Sequence, residues 1–347
     1  MRSTIRLVVI NLVVFAILLA IAILLFNAIK ADRSAPKAAL PNYAGQPWAK
    51  EHFSELRELH TRFSSFVEWR RELFSGETIN IVGKYHERKT ILPTDAKPPE
   101  VFFFGGSTMW GTGVRDNDTI PSLYAARTGQ IARNFGETAY SAHQGLEMLM
   151  WLLQDGERPD VVVFYDGVND VAHKCRTISG SFSAAQEQKI RWRLSPWHRK
   201  ISGSFLEWFN ETFRGIPAPR GSDCDTDPAK AAAIAKGLVR DWDTAKTIAE
   251  AEGITFHAVL QPVAFFSKSN LDHLDLREDR RRQFAAVYPI VKELIADRPY
   301  ISDFTEVLDD NEIVYIDFCH LSPNGNERIA AAMDAMINSS SAPAPPP

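Results

Sequence analysis

The sequence lacks a block of positive charge, and this absence excludes one large class of partner. Its 347 residues carry 39 Lys and Arg against 43 Asp and Glu, for a formal net charge of −4. Basic residues cluster only in short stretches such as Arg280–Arg282. Because nucleic-acid binding depends on a basic surface that neutralises phosphates, no nucleic-acid partner is expected.

The sequence also lacks the common cofactor and metal signatures. Gly111-Thr112-Gly113 has neither the third glycine of a dinucleotide fingerprint nor the lysine of a P-loop. Asp223, Asp225 and Asp227 lie close together, but the twelve-residue calcium pattern with its glycine and terminal glutamate is missing. The Gly-x-Ser-x-Gly elbow of α/β-hydrolases is absent as well. We therefore predict no cofactor and no bound metal.

Cysteine is scarce, with three residues in the chain. Cys175 and Cys224 bracket a segment rich in loop-forming residues, and they can pair in an oxidising compartment. Cys319 is then left over, and its apolar surroundings indicate a small buried residue.

One feature is abundant, namely apolar sequence near the N-terminus. Residues 7–26 carry no charge, and at about 1.5 Å per residue a helix of this length spans a hydrocarbon core of about 30 Å. The run is longer than the apolar region of a cleaved signal peptide, which is the alternative. We predict a short cytoplasmic leader at 1–6 and an uncleaved transmembrane signal anchor at 7–29. Basic residues on both sides leave the orientation undecided by charge, whereas the short leader and the cysteines favour an extracytoplasmic domain.

The rest of the chain divides by composition. From Trp48 to Phe74, apolar residues recur at spacings of three and four, which predicts a helix that packs on the main domain. The predicted segments are a linker at 30–47, a helical lead-in at 48–98, a catalytic domain at 99–337 with an insertion at about 176–228, and a disordered tail at 338–347.

Short apolar runs alternate with helical patterns through the catalytic domain. Val101–Phe104, Ile131–Phe135, Val161–Tyr165 and Ile254–Leu260 read as buried strands, and helical segments separate them. Such alternation predicts an α/β fold, with a parallel sheet covered by helices on both faces. Ligands of such sheets bind beyond the carboxyl ends of the strands.

Ser107 follows the first of these strands and a pair of glycines. A hydroxyl at such a turn lies beside backbone N–H groups that no strand has used, as a serine nucleophile requires. The alternative is an ordinary strand-to-helix turn, so the assignment depends on other residues.

Asp317 and His320 supply the remaining parts of a serine triad. Their three-residue spacing lets one loop hold both groups, so the carboxylate can orient one imidazole nitrogen and leave the other as a base. Alone, this pair also fits a capping aspartate and a surface histidine.

Four motifs in this order resemble the SGNH, or GDSL-like, hydrolase superfamily over roughly residues 99–337. They are Gly105-Gly106-Ser107-Thr108, the Asn134–Ser141 turn, Gly167-Val168-Asn169-Asp170 and Asp317–His320. The resemblance implies a three-layer α/β/α sandwich of the SGNH/flavodoxin-like kind that acts on esters without a metal.

The same resemblance assigns the roles of single residues. It makes Ser107 the nucleophile, His320 the base and Asp317 its orienting acid. The Ser107 N–H and the Asn169 side-chain amide would bind the oxyanion. At the third oxyanion position this sequence has Ala139 where the family usually has glycine. A backbone N–H serves equally from alanine if the turn avoids positive φ, which alanine resists.

Ala139 is the expected third donor, and the N–H of Gly136 is the alternative.

The implied activity is that of a serine esterase acting on an O-acyl, and specifically an O-acetyl, group. The anchor points to a glycan or glycolipid substrate outside the cytoplasm, at a bacterial inner membrane with the catalytic domain in the periplasm. The alternatives are an O-acyltransferase that uses the same triad and a non-catalytic envelope scaffold. Nothing in the sequence identifies a protein partner.

Overall fold

The computed structural model of the protein describes residues 6–7, 9–21, 35–176 and 221–339. Its strands are β1 (Thr61–Ser64), β2 (Glu68–Arg71), β3 (Phe74–Ser75), β4 (Asn80–Val82), β5 (Glu87–Arg88), β6 (Lys97–Gly105), β7 (Gln130–Asn134), β8 (Val161–Asp166), β9 (Thr255–Leu260) and β10 (Ile301–Asp303).

Helices alternate with the later strands. Those that follow the N-terminal segment are α1 (Ala35–Ala38), α2 (Ala49–Glu58), α3 (Ser107–Trp110), α4 (Ile120–Thr128), α5 (Ala142–Gln154), α6 (Val168–Lys174), α7 (Pro228–Ala251), α8 (Glu278–Ile295) and α9 (Pro323–Ser339), with 3-10 turns at Pro41–Tyr43 and Asp116–Asp118.

One eight-stranded sheet, in the order β10-β9-β8-β6-β7-β5-β4-β3, organises the domain. The five strands from β10 to β7 are parallel, and β5, β4 and β3 extend the sheet antiparallel to its edge. The predicted α/β fold with a mostly parallel sheet is therefore confirmed.

Both faces of the sheet are covered. Successive side chains of a strand point to opposite faces. On β6, Phe102 and Phe104 accordingly join a cluster that includes residues of α5, α7 and α8, whereas Val101 and Phe103 join a second cluster that includes residues of α4 and α9. Because both faces of the strands are buried, the polar residues that could bind a ligand lie beyond the carboxyl ends of the strands.

The lead-in differs from its prediction. The helix predicted from Trp48 to Phe74 ends at Glu58, and the hairpin β1–β2 and strand β3 follow. Phe63 and Phe66, whose spacing suggested the helix, are 59% and 77% exposed, so no common buried face exists. Phe66 has a φ of +68°, which a helix interior cannot contain.

Five predicted segments, namely the leader, the anchor, the linker, the insertion and the tail, lie partly outside the described residues. Residues 6–7 and 9–21 are helical, and 22–34, which include the end of the predicted anchor, are not described. Within the described ranges, no helix is both long and apolar enough to cross a membrane. Most of the predicted insertion, at 177–220, and the tail from 340 onward also lie outside the description.

Candidate active site

The nucleophile turn is built by two glycines. β6 ends at Gly105, and α3 begins at Ser107. A Cβ on Gly105 would lie 2.5 Å from the carbonyl oxygen of Tyr165, and a Cβ on Gly106 would lie 2.3 Å from Nδ2 of Asn169. Glycine at 105 therefore lets the neighbouring strand β8 come this close, and glycine at 106 does the same for the Asn169 amide.

The three predicted triad residues are in hydrogen-bond contact. Nε2 of His320 lies 2.7 Å from Oγ of Ser107, and Nδ1 of His320 lies 2.7 Å from Oδ2 and 2.9 Å from Oδ1 of Asp317. This is the relay in which an imidazole, oriented by a carboxylate, removes the proton of a hydroxyl.

Asp317 is held as a carboxylate. Its Oδ1 also accepts the backbone N–H groups of Cys319, at 3.0 Å, and of His320, at 2.9 Å. Burial alone would raise the pKa of Asp317, but the charge and hydrogen bonds of His320 and the backbone N–H bonds outweigh it, so the pKa lies below its ordinary value. The acid is ionised and its oxygens are fixed toward the imidazole.

A loop, and not a strand, carries Asp317 and His320. The chain around these residues forms an isolated bridge between Tyr315 and Leu321. The N–H of Ile316 donates to the carbonyl of His320 at 2.9 Å and closes the loop from within. This short loop is enough to set the distance between acid and base.

Asn169 lies at the start of α6, beyond the end of β8. Its Nδ2 donates to the carbonyl of Tyr140 at 2.8 Å, and it lies against Gly106, the residue before Ser107. One proton of this amide is donated to Tyr140, and the second has no acceptor among the described residues. Ser107, as the first residue of α3, adds an N–H that no residue of its own helix can accept.

Asp170 fixes the helix that carries Asn169. Its Oδ1 accepts Nζ of Lys174 at 2.7 Å, and its Oδ2 accepts the N–H of Ala142, the first residue of α5, at 3.3 Å. The motif residue after Asn169 thus links α6 to the turn that precedes α5.

Ala139 adopts the conformation that glycine would favour. Its φ is +67°, so the condition stated for an alanine at this position, a turn that avoids positive φ, is not met. Its N–H has no acceptor among the described residues. The N–H of Gly136, the alternative donor, is used, since it donates to Oδ1 of Asn134 at 3.0 Å. Of the two candidate donors, Ala139 is thus the one whose N–H is not already used within the described residues.

A buried ion pair from the lead-in holds this turn in place. Glu137 is fully buried, and its carboxylate accepts the Arg71 N–H at 2.9 Å, Nη1 of Arg71 at 3.0 Å and the Thr138 N–H at 2.7 Å. Nε1 of Trp69 donates to the carbonyl of Thr138 at 3.1 Å. Strand β2 thereby fixes the residues on the N-terminal side of Ala139. The sequence analysis did not find these contacts, and the pairing of Arg71 with Glu137 has no local signal.

Two further side chains, for which the sequence predicts no role, connect the nucleophile turn with the histidine loop. Thr108 donates through Oγ1 to the carbonyl of Cys319 at 3.1 Å. Nε2 of Gln261, beyond the end of β9, donates to Oγ1 of Thr108 at 2.7 Å. Ser107 and His320 are neighbours of the two bonded residues, so these bonds position the nucleophile against its base.

Asp317, Cys319 and His320 also form a group with metal-ligand atoms within 4.8 Å of one another. The geometry does not suit a metal, because Asp317 already binds Nδ1 of His320 and Ser107 binds Nε2. Burial, together with the nearby charge of Asp317, raises the pKa of the Cys319 thiol, which disfavours the thiolate that a metal would need. Cys319 is free and buried, and Cys175 and Cys224 are joined by a disulfide.

Comparisons with known proteins return structural similarities alone. No protein-family model and no curated protein matches the sequence. A carbohydrate acetylesterase family member from Sinorhizobium meliloti is 14% identical over 70% of this chain and 98% of its own, with a TM-score of 0.42. A member of the lipolytic G-D-S-L family from Veillonella parvula is 12% identical over 70% and 99%, with a TM-score of 0.40. An acetyl xylan esterase is 16% identical over 70% and 100%, also with a TM-score of 0.40. At these values the function is argued from the geometry of the site itself.

Proposed function

We propose that this protein is a serine esterase of the SGNH type that removes an O-acyl group, specifically an O-acetyl group, through an acyl-enzyme. The observation that carries the proposal is the continuous contact from Ser107 through His320 to Asp317, with bonds of 2.7 Å on each side of the imidazole.

In the first half of the proposed reaction, Oγ of Ser107 forms a bond to the ester carbonyl carbon as its proton passes to Nε2 of His320. The carbonyl electron pair moves onto oxygen, where the N–H groups of Ser107 and Ala139 and the Asn169 amide stabilise it. Asp317 stabilises the imidazolium by charge and hydrogen bonds. Collapse of the intermediate breaks the ester C–O bond, and the leaving alcohol takes the proton from His320.

In the second half, water attacks the acyl group on Ser107. His320 removes one proton from the water and returns it to Oγ of Ser107 as the acid leaves. The same acyl-enzyme transfers its acyl group to a sugar if a sugar hydroxyl replaces water, so an O-acyltransferase is the nearest alternative.

Hydrolysis of p-nitrophenyl acetate, followed by the release of nitrophenolate, tests the esterase. Turnover is expected from the wild type and not from folded Ser107→Ala. Adding a saccharide acceptor and measuring acetylated sugar by mass spectrometry separates the two outcomes, since only a transferase produces it. A folded wild-type protein that gives neither product would favour the non-catalytic scaffold and overturn the proposal.

The substrate and location proposed are an acylated glycan or glycolipid outside the cytoplasm, with the protein anchored in a bacterial inner membrane by residues 7–29. The apolar run at 7–26 and the Cys175–Cys224 disulfide support this placement. Fusing alkaline phosphatase after residue 339 tests it, because the fusion is active only if the domain lies outside the cytoplasm. An inactive, full-length fusion in the membrane fraction would contradict the orientation.

A further inference from the structure

A groove of about 280 Å³ adjoins the triad acid. Its lining combines apolar side chains, among them Leu274, Ile316 and Phe318, with charged ones, among them Lys37, Arg280 and Asp317. An opening with this lining suits a ligand that has both an apolar surface and a charge.

Arg280 differs from the other arginines around it. Each of these has an acidic partner: Arg277 pairs with Asp279, Arg281 with Glu278 at 3.2 Å, and Arg282 with Asp225 at 2.9 Å. Arg280 has no carboxylate partner within 4.0 Å among the described residues.

The Arg280 guanidinium is instead packed over an aromatic ring. Its Cζ lies 4.4 Å from the ring centroid of Phe318, and the residue is half-buried. Stacking of this kind holds a guanidinium in place and leaves its N–H groups directed outward along the plane. A fixed guanidinium without an acid partner is suited to bind an oxyanion, often with two parallel hydrogen bonds.

Arg280 also lies between the two halves of the catalytic machinery. It lines a second groove of about 350 Å³ together with Val171 and Ala172, which follow Asn169 on α6. The guanidinium therefore stands between the helix that carries the oxyanion amide and the loop that carries Asp317. Of the site residues, Asp317 lines the first groove, and the second is lined by the residues two and three positions after Asn169, so both grooves open beside elements that carry the site.

The charges on the groove favour an anion at Arg280. Lys37 lines the same groove as Arg280, and its Nζ lies 4.0 Å from Oδ2 of Asp317. Asp317 faces the imidazole, which it binds through both carboxylate oxygens. Asp275 also lines the groove, but it is exposed and makes no ion pair with Arg280.

We propose that Arg280 forms a subsite for an anionic group of the ester substrate, either a carboxylate, as on an acidic sugar, or a phosphate. The inference rests on the proposed esterase function and names the class of substrate that this site selects. Arg280 determines specificity for anionic over neutral esters and takes no part in the proton transfers.

Paired chromogenic or chromatographically resolved esters test the subsite. The carboxylate arm compares 4-acetoxybenzoate with its neutral methyl ester, and the phosphate arm compares 4-acetoxybenzyl phosphate with 4-acetoxybenzyl alcohol. The measured quantity is the ratio of kcat/KM for the anionic ester to that for the neutral ester. Comparing this ratio between variants cancels the difference in leaving-group chemistry.

In Arg280→Gln the ratio is expected to fall about tenfold in at least one arm, as loss of a charge-assisted hydrogen bond predicts. The arm that falls identifies the carboxylate or the phosphate. Raising the ionic strength should shrink the wild-type ratio toward that of the variant. Arg281→Gln is the matched control, because Arg281 is on the same helix and pairs with Glu278, and its ratio should stay at the wild-type value.

An Arg280→Gln ratio equal to that of the wild type in both arms, or an equal fall in Arg281→Gln, would overturn the subsite while leaving the esterase intact. Failure of the esterase itself has a different signature, in which the folded wild type hydrolyses none of the four esters.

Discussion

A substitution series at position 139 tests the third oxyanion donor. Ala139 has a φ of +67°, a conformation that costs an L-residue roughly 1–2 kcal/mol relative to glycine. We expect Ala139→Gly to keep the turn and the direction of the N–H. We expect Ala139→Val to strain it severely, because β-branched residues rarely adopt positive φ.

The stability change for Ala139→Gly can be estimated from three terms. Relief of strain contributes about 1–2 kcal/mol, and the greater freedom of glycine in the unfolded chain removes about 0.4–1 kcal/mol. Loss of a half-buried methyl removes about 0.4 kcal/mol more. The net change lies between a loss of about 0.4 and a gain of about 1.2 kcal/mol, measured from the urea dependence of circular dichroism.

The activity change separates the two substitutions. Ala139→Gly should retain kcat, since the N–H is preserved. If the Ala139→Val turn relaxes to negative φ, one donor leaves the oxyanion and kcat falls on the order of 10²–10³. Ala332→Val is the control, because Ala332 is a half-buried residue of helix α9 and should keep its activity. A folded Ala139→Val protein whose crystal structure shows residue 139 at negative φ, and whose kcat equals that of the wild type, would refute the assignment of this N–H.

Three further predictions concern the residues around the triad. Asn169→Ala should lower kcat on p-nitrophenyl acetate by about 10²–10³ with little change in KM, because a donor to the transition state is lost; an unchanged kcat would contradict that role. Glu137→Gln should destabilise the fold by about 3–5 kcal/mol in urea unfolding, because it leaves Arg71 buried without its partner; a change below about 1 kcal/mol would show that the pair does not hold the turn. The lowered pKa of Asp317 adds stability that is present above its ordinary value near 3.8 and is lost as the pH falls toward the folded-state pKa. The urea midpoint should therefore fall more steeply from pH 5 to pH 2.5 in the wild type than in Asp317→Asn, and parallel curves would contradict this.

The central sheet and the triad were predictable because their signals are local. Each buried run from Val101 to Leu260 has the length and composition of a parallel strand, and polar motifs follow the first three. Since the carboxyl ends of neighbouring parallel strands lie at one edge, Ser107, Asn169 and the turn at Ala139 had to come together. The Asp317–His320 spacing then sufficed to place acid and base in one loop.

The lead-in was not predictable in the same way. The spacing of its aromatic residues fits a helix, but the positive φ of Phe66 and the burial of Trp69 against the turn at Thr138 depend on the finished fold. The ion pair between Arg71 and Glu137, two residues before Ala139, likewise joins residues that are 66 positions apart. Such long-range contacts override the local secondary-structure propensity of these residues, and no short sequence pattern predicts the contacts.

Labelling with a fluorophosphonate tests the central claim most directly. The reagent forms a covalent bond to a serine oxygen that is activated by a neighbouring base, so no knowledge of the natural ester is needed. Peptide mapping by mass spectrometry should find one adduct on Ser107 in the folded wild type, and none on that peptide in Ser107→Ala or, at the same exposure time, in His320→Ala. A folded wild-type protein that stays unlabelled, or that carries its adduct on another residue, would contradict the assignment of Ser107 as the nucleophile.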